Sequence, residues 1–372
     1  MPQTMRTVFL FWILLLLCAV AACAQLQKVD YATPERLQAS LSEAASRLDV
    51  ASASVTVFSE DGITHSAYHG AGITSGSLFQ AASLSKSVTA LGVLLVSHER
   101  GIDLDEDVRP YITSLDWDEI KGGSLPITLR QLLSHTSGAT EHGFPGYSRF
   151  EDLPTSVEIV MGSARTNTPA IRLKPKKGKF SYSGGGYQIL QLFIEDQTGQ
   201  PFDEAMTELV LKPLKMERSS FSQPIDPMAI HPLSIATAGQ QKVPLFNLFS
   251  ETPDTWNNYP EQAAAGLWTT SADFALFGAA LQRAQAGRDV LGIPTDLLAQ
   301  LFVPVTKGYG LGLALQQSSD GSLSHFGHAG ANLGYRCIFR SFPSRNEGVV
   351  VMTNSPSGER LMMEVVSAFS DH

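Results

Sequence analysis

The sequence predicts an α+β fold: an antiparallel sheet, flanked by N- and C-terminal helices, with a largely helical inserted region. Near the N-terminus, a helical pattern over 34–48 precedes two strand-like segments, 53–59 and 63–70. Near the C-terminus, the strand-like segments are 309–316, 323–327, 335–342 and 348–353. A final amphipathic helix over 359–369 follows them. Because short turns join strands at both ends, we expect all of them to form one antiparallel sheet covered by the terminal helices.

The domain organisation follows from the region between the two groups of strands. A chain of 372 residues is long enough for two modules or one large composite domain. Within 81–262, helical spacing alternates with loops rich in glycine and proline, and the helical stretches are 85–99, 129–133, 187–197 and 202–210. We therefore expect one domain over 36–372, whose sheet region comprises 36–80 and 263–372 and whose helical region is the insertion.

The N-terminus carries the pattern of an export signal over 1–22. Its apolar run, 8–17, has the length of a signal-peptide core and is shorter than the roughly 20 residues that span a bilayer. Residues 20–23, Val-Ala-Ala-Cys, resemble a bacterial lipobox, which predicts lipidation of Cys23 and a tether over 23–35. That interpretation makes the protein a lipoprotein on a bacterial envelope membrane, facing the periplasm or the cell exterior. An ordinary cleavage site beside Cys23 and a retained anchor helix remain open.

Charge and cysteine content argue against several kinds of site. With 27 Lys+Arg against 36 Asp+Glu and a net charge of −9, the chain lacks the basic balance of nucleic-acid-binding proteins. Cys337 is left without a partner once the N-terminal cysteines are removed or lipidated, so we expect a small core residue and no disulfide. His325 and His328 lie on opposite faces of a strand-like segment, so we expect no metal site. No cofactor motif is apparent.

Ser83 and Lys86 are the first candidate catalytic residues. They form a Ser-x-x-Lys sequence where an apolar helical pattern begins, which predicts that Ser83 lies on the first turn of a helix and Lys86 one turn later. A serine hydroxyl is a poor nucleophile until a base takes its proton, and a partly desolvated lysine can be that base. Such a pair also arises by chance, in which case it marks only a helix start with a surface lysine.

Five further segments follow Ser83-x-x-Lys86 in order, and they are 127–138, 180–187, 264–268, 328–332 and 349–354. Their sequences are ITLRQLLSHTSG, FSYSGGGY, AAGLW, HAGAN and VVVMTN. Together the six resemble the serine β-lactamase and penicillin-binding-protein family, in the branch that includes class C β-lactamases, esterases and D-amino-acid peptidases. The resemblance covers about residues 36–370. It implies a hydrolase that works through an acyl-enzyme, with its site between the sheet and the helical region.

The resemblance also implies roles for individual residues. Ser83 would be the nucleophile, Lys86 its proton partner, and Tyr182 the group that passes a proton to the leaving group. The backbone N–H groups of Ser83 and Ala331 would form the oxyanion hole. Gly330 would let the substrate backbone approach the strand closely.

Two positions depart from the family pattern. Gly184 stands where the family usually has an asparagine that orients substrate and lysine. His328 stands where β-lactamases have a lysine, so we expect a mostly neutral imidazole that donates one hydrogen bond to substrate and gains charge only below pH ~6.5. Both departures weaken the case for an efficient β-lactamase. His135, in the 127–138 segment, is expected to cap a loop rather than to catalyse.

We therefore expect an exported serine hydrolase that acts on a small ester, amide or peptide. The alternatives of the same mechanism are a D-Ala-D-Ala carboxypeptidase and a β-lactamase. An alternative of a different class is a catalytically weak protein that holds cell-wall peptides without turnover.

Overall fold

The computed structural model describes residues 29–174, 178–225 and 256–370. In this part of the chain the strands are, in order, β1 (Ala53–Ser59), β2 (Gly62–His69), β3 (Phe79–Gln80), β4 (Tyr147–Ser148), β5 (Asn257–Asn258), β6 (Trp268–Thr269), β7 (Ala314–Gln317), β8 (Leu323–Asn332), β9 (Tyr335–Phe342) and β10 (Glu347–Thr353). Six of them form one antiparallel sheet in the order β2-β1-β10-β9-β8-β7. The strands β3 and β6, and the strands β4 and β5, form two short pairs.

The α-helices of the described residues are α1 (Pro34–Arg47), α2 (Ser85–Arg100), α3 (Leu129–Leu133), α4 (Ser156–Met161), α5 (Gly184–Thr198), α6 (Phe202–Met206), α7 (Ser271–Gln285), α8 (Thr295–Ala299) and α9 (Gly358–Ser370). Local signals set their ends. Thr33 caps α1 by accepting a hydrogen bond from the Arg36 amide, and Gly101, at a left-handed φ of +66°, ends α2.

Helices cover both faces of the sheet, and this explains why β1 and β10 are buried almost throughout. On one face, Val55 and Val351 pack with apolar residues of α1 and α9. On the other face, Val350 joins the larger core with Phe274 and Phe277 of α7. Apolar side chains on successive positions of one strand therefore serve two separate cores.

The edge of the sheet next to the helical region is open along part of β8. Strand β7 pairs with β8 only as far as Gly327, which lies opposite Ala314. The remainder of β8, from His328 to Asn332, pairs with β9 on one side alone within the described residues. An extended ligand can approach such an edge because its backbone groups are not used by a further strand.

The predicted fold class is confirmed, with three differences in its elements. The strand predicted over 309–316 is wrong at its start, because Gly308 and Gly312 adopt left-handed φ values of +82° and +71° and leave Tyr309 in a loop. The helix predicted over 187–197 begins earlier, at three glycines, because the Ser183 side chain caps it. Strand β8 continues past residue 327 to Asn332.

The export and lipidation predictions, Cys23 included, fall on 1–28 and lie outside the described residues. Among the helices that are described, none combines the length and apolar character needed to cross a membrane.

Candidate active site

Ser83 lies in a one-turn 3-10 helix, Ala82–Leu84, that runs directly into α2. The residue before it, Ala82, has a left-handed φ of +48°, a strained conformation of the kind that clusters at functional sites. The Ser85 hydroxyl donates to the Ala82 carbonyl at 2.6 Å and accepts from the Leu267 amide at 3.0 Å. Ser83 is therefore presented by a tight, pinned turn immediately before the helix, rather than by the first turn of the helix itself.

Lys86 lies one turn after Ser83 and is 2% exposed. Its Nζ is 3.2 Å from Ser83 Oγ and donates to the Ala264 carbonyl at 2.6 Å. Burial lowers the pKa of the amine from 10.5 to about 7, and no carboxylate of the described residues pairs with it. A neutral lysine keeps a lone pair, so it can accept the Ser83 proton across the same 3.2 Å contact.

Tyr182 lies just before α5, and its ring centroid is 5.1 Å from Lys86 Nζ. Its hydroxyl is hydrogen-bonded to Ser83, yet burial dominates and raises the pKa of the phenol well above its usual value. Tyr182 is therefore a neutral phenol, which suits it to donate a proton rather than to remove one. The structure thus brings together the three side chains that the sequence singled out, with a base and an acid on either side of the serine.

The loop that carries Tyr182 is held by the segment around His135. Ser183 caps α5 by accepting from the Gly186 amide at 2.9 Å and donates to the Thr140 carbonyl at 3.0 Å. The Ser181 amide donates to the His135 carbonyl at 2.8 Å. A ring nitrogen of His142 lies against the Tyr182 carbonyl. These bonds leave the phenol little freedom to move relative to α5.

Gly184 has a steric explanation in this loop. A Cβ at Gly184 would lie 2.7 Å from Cε2 of Phe144, so the Phe144 ring fills the space next to the helix start. A Cβ at Gly185 would lie 2.3 Å from the Thr140 carbonyl oxygen. The glycine that replaces the family's asparagine at position 184 is therefore coupled to Phe144. The sequence did not predict this contact, because no local pattern links the two positions.

The open edge of β8 lies against the Ser83 turn. A Cβ at Gly330 would be 2.5 Å from the Ala81 carbonyl oxygen and 3.0 Å from the Ser83 nitrogen, so only glycine allows this approach. The thiol of Cys337, on strand β9, donates to the same Ala81 carbonyl at 2.9 Å. Cys337 is a buried free cysteine, as expected. Ala331, next to Gly330, is exposed on the same strand. The two candidate oxyanion donors, Ser83 and Ala331, thus come from adjoining backbone segments.

His328 is buried and fully engaged with the protein. Its Nε2 lies 3.1 Å from the Tyr309 hydroxyl and its Nδ1 lies 2.7 Å from the Ala329 carbonyl oxygen. Burial, together with the positive charge of Lys86, lowers the pKa of His328 to about 3. The expectation that His328 gains charge below pH ~6.5 is therefore wrong, because a desolvated imidazole near a cation resists protonation.

Two more residues enter the site from loops. Tyr309 touches both His328 and His135, and Phe180, which is 47% exposed, packs its ring 5.4 Å from that of Tyr309. A sequence signal for Tyr309 exists in the glycine-rich run at 308–312, where glycines at alternate positions mark a sharply turned loop. Within 29–174, 178–225 and 256–370, no three His, Cys, Asp or Glu residues form a group that could hold a metal ion.

Comparison with known proteins agrees with this fold. The family model described as "Beta-lactamase" matches residues 37–365. Protein flp of Staphylococcus aureus strain N315 is 29% identical over 182 residues, which are 48% of this chain and 35% of that protein. Penicillin-binding protein 4* of Bacillus subtilis strain 168 is 24% identical over 148 residues, which are 40% of this chain and 31% of that protein. The matches thus span about a third of each of these curated relatives.

Solved structures with the same fold include two kinds of protein. A penicillin-binding protein homologue from Pyrococcus abyssi superposes with a TM-score of 0.64 at 22% identity, covering 89% of this chain and 77% of that one. D-amino acid amidase from Ochrobactrum anthropi SV3 superposes with a TM-score of 0.66 at 20% identity, covering 90% of this chain and 97% of that one. At these identities the likeness is one of fold. Since the family model matches nearly the whole described chain, the protein belongs to the β-lactamase family of serine hydrolases with the β-lactamase/transpeptidase fold.

Proposed function

We propose that the protein hydrolyses uncharged amides or esters through an acyl-enzyme on Ser83. One observation carries the proposal: a buried lysine whose pKa is about 7 lies 3.2 Å from the serine hydroxyl, next to a neutral phenol. A base that is largely unprotonated near neutral pH can activate the serine without a histidine.

The residues divide the steps of the reaction between them. Neutral Lys86 takes the Ser83 proton as Oγ attacks the substrate carbonyl, and the N–H groups of Ser83 and Ala331 stabilise the oxyanion. Tyr182 gives its proton to the departing amine or alcohol and regains one from the Lys86 ammonium, so no net proton is lost in acylation. Water then attacks the acyl-enzyme, with the same groups returning the serine to its starting state.

The substrate class follows from charge and from the aromatic residues at the mouth of the site. His328 is neutral, so this end of the cleft supplies no fixed cation for the carboxylate of a penicillin or a D-Ala-D-Ala peptide. Phe180, which is exposed and packs on the buried ring of Tyr309, offers an apolar surface instead. Structural neighbours include a D-amino acid amidase solved with L-phenylalanine amide, and amino-acid amides of this kind, which carry no carboxylate, suit the site described above.

We further propose that the protein is exported and held on a bacterial envelope membrane by lipid on Cys23. The support is the apolar run over 8–17 followed by Val-Ala-Ala-Cys at 20–23. More than one acyl chain on this residue would anchor the protein stably, whereas a single chain binds membranes only marginally.

Covalent labelling tests the nucleophile. Treatment with a fluorophosphonate should add one adduct to the intact mass, and Ser83→Ala should abolish it. Ser97→Ala is the matched control, because its buried hydroxyl bonds only to the Leu94 carbonyl of the same helix in the contacts of the described residues, and the adduct should remain on Ser83 in that variant. A labelled Ser83→Ala protein would refute the assignment.

A substrate panel tests the activity and separates the alternatives. D- and L-phenylalanine amides, a short-chain ester, a D-Ala-D-Ala peptide and a chromogenic cephalosporin should be compared by kcat/KM. We expect turnover of the amides or the ester, which carry no carboxylate, and much weaker turnover of the two carboxylate compounds. Preference for the peptide would favour a carboxypeptidase, preference for the cephalosporin a β-lactamase, and labelling without any turnover a peptide-binding protein.

A further inference from the structure

The hydroxyl of Tyr309 lies between two buried histidines from separate parts of the chain. It is 3.2 Å from Nε2 of His135 and 3.1 Å from Nε2 of His328. His135 lies on the loop after α3, whereas His328 lies on the open edge of β8. All three side chains are buried, so each polar atom needs a partner within the protein.

The direction of these hydrogen bonds follows from the donors at the two ends. At one end, the Ser183 amide donates to Nδ1 of His135 at 3.0 Å, so that nitrogen carries no proton. Uncharged His135 then has its proton on Nε2 and donates it to Tyr309. The hydroxyl of Tyr309 keeps its own proton and donates it to Nε2 of His328. His328 consequently has its proton on Nδ1, which donates to the Ala329 carbonyl at 2.7 Å.

The surroundings favour uncharged imidazoles. The charged groups that interact with His328 are Lys86 and Arg340, both of which disfavour a second positive charge, and His135 experiences the same effect from Lys86. No described carboxylate faces either ring to offset this. The chain of donors and acceptors from Ser183 to Ala329 is therefore consistent at every link. The Tyr187 hydroxyl, which donates to the Leu133 carbonyl, is a further neighbour of the Tyr309 hydroxyl.

We propose that Tyr309 is a positioning and specificity-determining residue, which together with the Ala329 carbonyl holds His328 as the Nδ1–H tautomer with both ring nitrogens bonded to protein. His328, which was expected to donate a hydrogen bond to substrate, then donates none to it. It presents an uncharged wall to the substrate, and this selects neutral groups at that end of the cleft. The selection of substrate rests on the proposed hydrolase function, whereas the tautomer does not.

The same chain joins the two walls of the site. Ser183, at one end of the chain, directly follows Tyr182 and caps α5. Ala329, at the other end, lies two residues before Ala331 on β8. Tyr309 thereby sets the spacing between Tyr182, the candidate acid, and Ala331, one candidate oxyanion donor. No contact among the described residues joins Tyr309 to Ser83 itself. A loss of the hydroxyl should lower kcat more than it raises KM.

The tautomer of His328 can be measured by nitrogen-15 NMR on protein labelled at its nine histidines. His135→Gln and His328→Gln assign the two signals. In the unsubstituted protein, we expect the proton of His328 on Nδ1 and that of His135 on Nε2. A His328 proton on Nε2, or a cationic ring at pH 7, would overturn the proposal without any variant having to fold.

Tyr309→Phe tests the role of the hydroxyl, since the ring is kept. We expect Nε2 of His328 to lose its hydrogen-bond donor and its nitrogen-15 shift to move, while the Ala329 carbonyl keeps the proton on Nδ1 and His135 keeps its bond to Ser183. We expect kcat for a neutral amide to fall about tenfold, the loss typical of one buried hydrogen bond, and the relative rate for a matched carboxylate amide to rise.

Tyr147→Phe is the matched control, because it removes a buried tyrosine hydroxyl that accepts from the Asn167 amide at 3.2 Å and lies outside the chain. Both tautomers and the nitrogen-15 shift of His328 Nε2 should be unchanged in that variant. An unchanged Nε2 shift in Tyr309→Phe would refute the proposal. The expected tautomers in a protein that fluorophosphonate does not label would support the role of Tyr309 and refute the proposed hydrolase, so the two failures are distinguishable.

Discussion

The buried amine of Lys86 should determine how the rate of acylation depends on pH. Burial lowers its pKa from 10.5 to about 7, and only the neutral amine can accept the Ser83 proton. With this pKa the neutral fraction is about 9% at pH 6 and about 91% at pH 8. The rate of fluorophosphonate labelling should therefore rise about tenfold over this interval and then reach a plateau.

An unshifted lysine would behave differently. With a pKa of 10.5, the neutral fraction would rise about a hundredfold from pH 6 to pH 8 and would continue to rise beyond it. The two profiles are distinguished by the second-order labelling rate at half-unit steps from pH 5.5 to 9, an interval that brackets the shifted pKa. A hundredfold rise without a plateau, or a flat profile, would refute the conclusion that a desolvated Lys86 is the base.

Other groups at the site should not produce this change. Burial keeps the pKa of His328 at about 3 and that of Tyr182 well above 10. Glu261 is the group to control for, because burial raises its pKa to about 8 and neither carboxylate oxygen has a hydrogen-bond partner among the described residues.

Two variants complete the test. Glu261→Gln should keep the rise near pH 7, and its disappearance in that variant would assign the titration to Glu261 instead. Lys86→Met, which keeps an unbranched chain and removes the amine, should label about 10²- to 10⁴-fold more slowly at pH 8, the range typical of a general base. Rates close to those of the unsubstituted protein would show that another group activates Ser83.

Three further predictions concern neighbouring parts of the molecule. Gly184→Asn should lower the free energy of unfolding by about 1–3 kcal/mol, because the new side chain overlaps Phe144. Adding Phe144→Ala should recover part of that loss, and purely additive losses in denaturant titrations would contradict the coupling between the two positions. His328→Lys places a second cation near Lys86 and should move the rise in labelling rate to a pH below 7, by about one unit; an unmoved profile would show that the new amine points away. Cys23→Ser should shift the protein from the membrane to the soluble exported fraction, and a protein already soluble without the substitution would refute the lipid anchor.

The fold class was predictable from the sequence because its signals are local. Strand-like segments joined by short turns near both chain ends indicated one sheet, and 3.6-residue periodicity indicated the helices around it. The spacing of Ser83 and Lys86 also belongs to a single turn of chain, so their proximity needed no tertiary information. The motif at 328–332 likewise lies within one strand.

Only the tertiary structure decided which distant segments contact each other and what electrostatic environment these contacts create. Phe144 meets Gly184, and Tyr309 meets both His135 and His328, across separations that no periodic pattern encodes. The charge states depend on the same packing. A lysine and a histidine have ordinary pKa values in an isolated peptide, and both values fall here because the folded chain removes water from around the side chains while placing them near each other. The sequence by itself therefore identified Ser83, Lys86 and Tyr182, whereas packing determined their further neighbours and their protonation.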